Sequence, residues 1–105
     1  MVPQRLSTRD ADDLQNRGVR AYRTQHGRLR PLTLPQLKQA GQAALRAQCK
    51  KRKLSFTPVI NLARKENGQC VAIVQFTPIL SSICSAETAM AALVAALKEA
   101  LPTAL

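Results

Sequence analysis

Aromatic side chains are nearly absent: the 105 residues include no Trp, one Tyr and two Phe. This excludes a core of packed rings. It also disfavours a surface that holds unpaired bases on several aromatic platforms, because only Tyr22 lies among basic residues while Phe56 and Phe76 alternate into expected strands as core candidates. Acidic residues number six and His one. General acid–base chemistry needs such groups gathered in a pocket. Here the carboxylates fall in helix first turns, at a hairpin tip or near the C-terminus, and His26 stands beside Gly27 in a basic loop. No enzymatic activity is expected. Cys49, Cys70 and Cys84 are odd in number, widely spaced and without a CxxC pair. They predict neither a disulfide framework nor a zinc site, and they suit a reducing cytoplasm. A Cys nucleophile served by His26 lacks a third group to orient the base. The four glycines, at 18, 27, 41 and 68, are too scattered for a phosphate-cradling loop. No cofactor and no metal are expected.

Long apolar runs are missing too. The stretch Ala86 to Leu101 is short for a membrane span and carries Glu87, Lys98 and Glu99. Met1 to Asp10 has no apolar run of the secretory kind, and Asp10, Asp12 and Asp13 argue against an organelle transit peptide. A soluble, cytoplasmic protein is the expectation.

What the chain has is basic charge on one side of a division. The formal net charge is +10. Up to Lys65, fifteen basic side chains oppose Asp10, Asp12 and Asp13, a balance of +12; beyond it, Lys98 alone opposes Glu66, Glu87 and Glu99, a balance of −2. Charge concentrated in one segment makes a directed field that recruits polyanions, which evenly spread charge does not. The hydrophobic fraction is 46%, but 16 of those residues are Ala, so the core is small and mostly aliphatic. A chain of this length buries only about 60–70% of its unfolded surface, which suits a marginal monomer or an oligomer.

The pattern predicts a small single α+β domain. Residues 1–32 read as a basic N-terminal helix or a partly disordered arm. Ser7 or Thr8 can cap a helix with Asp10, Asp12 and Asp13 in its first turn and Arg17, Arg20 and Arg23 later, an order that suits the helix dipole. His26, Gly27 and Pro31 then mark a break. Residues 33–105 read as a compact α-β-β-α unit. Thr33 and Gln36 have capping-box spacing, Pro35 suits a first turn, and a helix follows from Leu34 to about Lys50. Lys38, Gln42, Arg46 and Lys50 recur every four residues along it and lead into Lys51, Arg52 and Lys53. A hairpin comes next, with Leu54 to Leu62 alternating and Cys70 to Thr77 apolar about Asn67-Gly68. A two-residue type I′ turn there would set Leu62 against Ile73, Ile60 against Gln75 and Arg64 against Val71. Pro58 and Pro78 limit the pairing at the far end. Ile79 to Ser85 reads as a connection, with Ser85 capping a last helix whose large face is Met90, Leu93, Val94, Leu97 and Leu101 and whose stop is Pro102. Two strands alone are marginal, so the sheet is expected to be completed by homodimerisation through the hairpin and the helix at 86–101.

Two clusters qualify for neutralising phosphates along a track: Lys50, Lys51, Arg52 and Lys53, extended by Lys38 and Arg46, and the group Arg17, Arg20, Arg23, Arg28 and Arg30. One or two cations suffice to complement a helix C-terminus, and four exceed that need. The function that follows is a basic nucleic-acid-binding protein gripping the backbone of DNA or RNA with little base specificity. The competing reading is a non-catalytic assembly module that docks the same surface on an acidic protein. A membrane-surface role fits less well, since basic and bulky apolar residues occupy different halves of the chain and not opposite faces of one helix.

Overall fold

The computed structural model describes residues 5–76 and 81–101. Its first helix, α1, spans Thr8–Asn16 and is capped by Ser7, whose Oγ accepts the Asp10 N–H at 3.2 Å. The helix does not run on through Arg20 and Arg23. The chain turns at Gly18, whose φ of +89° is the left-handed value that ends a helix without a Cβ penalty. In place of further helical turns there is a hairpin of β1 (Tyr22–Gln25) and β2 (Arg28–Pro31). The break at His26 and Gly27 is its tip. Both residues have positive φ, 53° and 74°, the type I′ requirement, which Gly meets freely and His more readily than most side chains.

Helix α2 spans Leu34–Lys51, within a residue of its expected end. Gln36 Oε1 accepts the Thr33 N–H at 3.0 Å, and Leu37, Gly41, Ala44, Leu45 and Cys49 form its buried face. The second sheet is a meander of β3 (Val59–Arg64), β4 (Cys70–Gln75) and β5 (Ser81–Ala86), antiparallel in the order β3-β4-β5. The segment Leu54 to Thr57 stays outside the ladder, and pairing starts at Val59 against Gln75, immediately after Pro58. Pro78 lies outside the described residues.

Two expectations are corrected here. The hairpin loop has three residues, not two: Lys65 donates to the Gln69 carbonyl at 2.7 Å and Gly68 donates back to the Lys65 carbonyl at 3.0 Å. Among the turn residues only Gly68 takes positive φ, at +89°, so Asn67 completes an ordinary turn before a glycine bulge. The extra residue shifts the register by one. Leu62 therefore faces Ala72, Ile60 faces Val74 and Arg64 faces Cys70, while Ile73 pairs with Asn61 on the opposite face. The second correction is the strand β5, where a connection and a cap were expected. Ser85 pairs with Val71 inside the sheet, and the cap of the last helix is Thr88, whose Oγ1 accepts the Ala91 N–H at 3.1 Å. The residues 79 and 80 of the expected connection, and Pro102, are outside the described residues. The α-β-β-α core thus becomes α-β-β-β-α, and β4 is paired along both edges within one chain.

Helix α3 (Ala89–Ala100) lies on β4 and β5, with α1 and α2 against it. Leu93 and Leu97 are fully buried, and so are Ala92 and Ala96, so this helix is covered on more than one side. Leu6, Ala11, Leu14, Val19, Ala21 and Leu32 join the same hydrophobic cluster as Leu37, Leu45, Leu93 and Leu97. The described residues form a small α+β protein with three helices and two antiparallel sheets. Among the described residues no helix packs on the outer face of the second sheet, whose edge residues Val59 and Ile83 are exposed while Val71 at its centre is buried. Val59, Asn61, Ala63, Val71, Ile73, Gln75, Ser81, Ile83 and Ser85 alternate onto it, none of them charged, with Ile83 62% exposed.

Candidate functional site

Two of the three acids of the N-terminal half, Asp10 and Asp13, are engaged in holding α1 to α3. Lys98 Nζ reaches Asp10 at 2.8 Å and Asp13 at 3.4 Å, and Arg17 Nε reaches Asp13 at 3.0 Å. The Arg17 guanidinium also donates to the carbonyls of Lys98 and Leu101, both at 2.7 Å, closing the C-terminal turn of α3. The hydrogen bond from Lys98 holds the Asp10 carboxyl below its ordinary range, and that from Arg17 does the same for Asp13. The Lys98 ammonium is correspondingly raised, chiefly by Asp10. Asp12 accepts the Tyr22 hydroxyl proton at 2.6 Å, which pushes the phenol's pKa up and keeps it neutral. Arg17 therefore stands apart from the other basic residues singled out above: it is a structural clasp.

The remaining N-terminal arginines are gathered by the β1-β2 hairpin. Arg23 pairs with Arg30 and Gln25 with Arg28, so strand alternation puts three guanidinium side chains on one face. Tyr22, Thr24, Leu29 and Pro31 take the other. Arg5, absent from the sequence-derived group, joins them: it bridges to Thr33 and donates from its guanidinium to the Pro31 carbonyl at 3.1 Å. Arg5, Arg23 and Arg30 border a small cleft of about 280 Å³. A larger cleft of about 760 Å³ lies beside it, between the hairpin and the first half of α2. Arg20 and Arg23 supply its charge, Tyr22 and Leu29 its apolar wall, and Gln36 and Gln39 its amides. Among the described residues neither cleft has an acidic residue in its lining. Leu29 is 71% exposed there, and only the pairing of two short strands brings it beside Tyr22.

The second cluster lies at the other end of α2. Lys50 and Lys51 occupy its last turn, Arg52 is the C-cap, and all four residues to Lys53 are exposed. Lys38 and Arg46 are exposed along the helix, whereas Gln42 is occupied by donating to the Pro58 carbonyl. Gln36, Gln39, Arg46 and Lys50 fall near one side at helical spacing, with exposed Ala43 and Ala47 between them. From Gln36 to Lys50 this face runs about 21 Å, some six base-pair steps of a duplex. It connects the clefts to the Lys cluster.

Lys53 carries a second observation. The Leu54 N–H bonds to the Cys49 carbonyl at 2.8 Å and the Lys53 N–H to the Lys50 carbonyl at 3.1 Å, a Schellman closure with Lys53 in its left-handed position. Its φ is 58°, where Gly is the usual occupant and a side chain is disfavoured by about 1 kcal/mol. A cation thus stands where local backbone energetics favour its absence. Lys53→Gly is expected to raise the unfolding free energy by up to about 1 kcal/mol in urea denaturation while weakening polyanion binding. Unchanged or lower stability would show that the turn is relaxed with Lys.

The remaining reactive groups are quiet. Cys49 and Cys70 are buried, and the Cys84 thiol is pushed up by burial and by its hydrogen bond to Glu99 at 3.3 Å, which disfavours the thiolate. Among the described residues no three His, Cys, Asp or Glu side chains gather into a metal site, and no helix is long and apolar enough to cross a membrane. No known protein family, curated protein or solved structure matches this chain, so the two basic clusters and the clefts between hairpin and helix are defined by its own geometry alone.

Proposed function

We propose that the protein binds nucleic acid, DNA or RNA, through the phosphate backbone with little base specificity, and does so as a homodimer. One observation carries this reading. Among the described residues the ion pairs engage only Arg17 and Lys98, so Arg20, Arg23, Arg28, Arg30, Lys38, Arg46, Lys50, Lys51, Arg52 and Lys53 meet solvent without an acid partner. Arg5 extends the set. Phosphates are the ligand that repays such an array, because each neutralised phosphate releases a condensed counterion. The test is affinity against salt for a short duplex and a single strand, with and without Lys50, Lys51, Arg52 and Lys53. Stoichiometric copurification of an acidic protein free of nucleic acid would favour the assembly-module reading instead.

For the homodimer, α3 has little apolar surface left to offer, since its large side chains are covered by its own chain. The open sheet face is the better seat for a second copy. It is uncharged on a chain of net charge +10, so two copies meeting there, about a two-fold axis, bring no cations into contact. Ile83 and Val59 supply its exposed apolar area, with Ile73 half-buried on the same face. Ile83→Lys is expected to halve the mass seen in sedimentation while leaving the circular dichroism unchanged. A wild-type monomer, or a variant that remains dimeric, would overturn this placement.

A further inference from the structure

We infer that the larger cleft under the β1-β2 hairpin takes a nucleobase from a single strand, with the neighbouring phosphate held in the small cleft beside it. The inference rests on the phosphate-backbone reading and narrows it to single-stranded nucleic acid at this end of the molecule. The volumes and linings differ in the way a nucleotide differs along its length. The larger space, about 760 Å³, lies within the range of small-molecule sites and combines an apolar wall with amides that can meet any base edge. The smaller, about 280 Å³, is bordered by Arg5, Arg23 and Arg30, which suit bidentate phosphate contacts. Arg23, Thr24 and Gln36 border both, so the two spaces are immediate neighbours.

A purely electrostatic surface needs no exposed apolar side chain at its centre. Leu29 is 71% exposed on the cleft side of the hairpin, opposite Thr24 and near the ring of Tyr22. The Tyr22 hydroxyl is held by Asp12, which fixes the ring as one wall. A planar base covers both side chains and presents its charge-bearing linkage to the arginines. Bases in a duplex are already stacked and reach such a cleft only by unpairing, so an unpaired strand is the preferred ligand here.

The test compares three ligands at matched salt: a 12-nucleotide single strand, the same strand with abasic sites throughout, which carries the same number of phosphates, and the 12-base-pair duplex, which carries twice as many. Tyr22 is the sole tyrosine in a chain without Trp, so its fluorescence reports on the cleft directly. The single strand is expected to bind about tenfold more tightly than the abasic strand and to quench Tyr22, which the abasic strand does not. Leu29→Ser, a change at an exposed position, is expected to shrink that difference at least threefold while leaving affinity for the abasic strand intact. Equal affinity for normal and abasic strands overturns the base site and leaves the backbone reading standing. Absence of salt-dependent binding to all three ligands, or equal binding of polyglutamate, overturns the backbone reading and the inference with it.

Discussion

Replacing Lys50, Lys51, Arg52 and Lys53 together with Gln is expected to flatten the salt dependence of nucleic-acid binding. If the hairpin, helix and Lys cluster neutralise about six phosphates, affinity for duplex falls about 10³-fold between 50 and 200 mM salt. Removing four of those contacts leaves about a tenfold fall over the same range, and affinity at low salt drops by more than an order of magnitude. The fold is expected to survive, because all four side chains are exposed and none is in an ion pair among the described residues. Their favourable interaction with the helix dipole amounts to a few tenths of a kcal/mol each in salt. Circular dichroism and the melting temperature provide the control. A quadruple variant with the wild-type salt slope would remove this cluster from the interface.

Gly41→Val is the expected structural lesion of comparable size. Gly41 lies where α2 passes α3, and a Cβ placed there would stand 3.0 Å from both terminal methyls of Leu97 and 3.3 Å from that of Ile60. Leu97 is fully buried and Ile60 nearly so, so neither has room to withdraw. Replacing Gly in a helix gains a few tenths of a kcal/mol when the newcomer is Val, against about 1–3 kcal/mol for forcing its methyls into a filled core. The net loss of about 2 kcal/mol lowers the melting temperature by about 10 °C. Leu97→Ala alone opens a cavity and is also destabilising, but in the Gly41→Val background it makes room for the new methyls. The double variant is therefore expected to be more stable than the sum of the single losses, read from a double-mutant cycle in urea. Strict additivity, or an unchanged melting temperature for Gly41→Val, would show that the helices do not meet as described.

Element positions followed from local chemistry wherever one segment controlled its own backbone. Pro35 and Gln36 start α2, the spacing of Leu93 and Leu97 identifies the buried line of α3, Gly18 turns the chain after α1, and Gly27 forms the break at the tip of the first hairpin. Errors arose where two conformations were locally equivalent. Asn67-Gly68 suits a two-residue turn and a three-residue turn with a glycine bulge alike, and pairing across the whole strand decides between them by burying Ala72 and Val74 while turning Ile73 outward. The run Ser81 to Ala86 has little strand propensity of its own. It becomes β5 because β4 needs a second partner and α3 covers Ser82, Cys84 and Ala86.

The charge division survives in the folded molecule, but its elements do different work. Fifteen cations up to and including Lys65 were countable from the chain; that Arg17 serves α3, and that Arg5 joins Arg23 and Arg30, was not. Those partners are separated by up to 84 positions, and no local pattern encodes a contact at that range. By itself the sequence determined the aliphatic core, the sparse acid and aromatic content, and the confinement of positive charge to the first two thirds of the chain. Tertiary structure alone decided which cations are withdrawn into the α1-α3 clasp and which border a cleft. The physical reason is that charge is a property of each residue, whereas its availability depends on which distant carbonyls and carboxylates folding brings within reach.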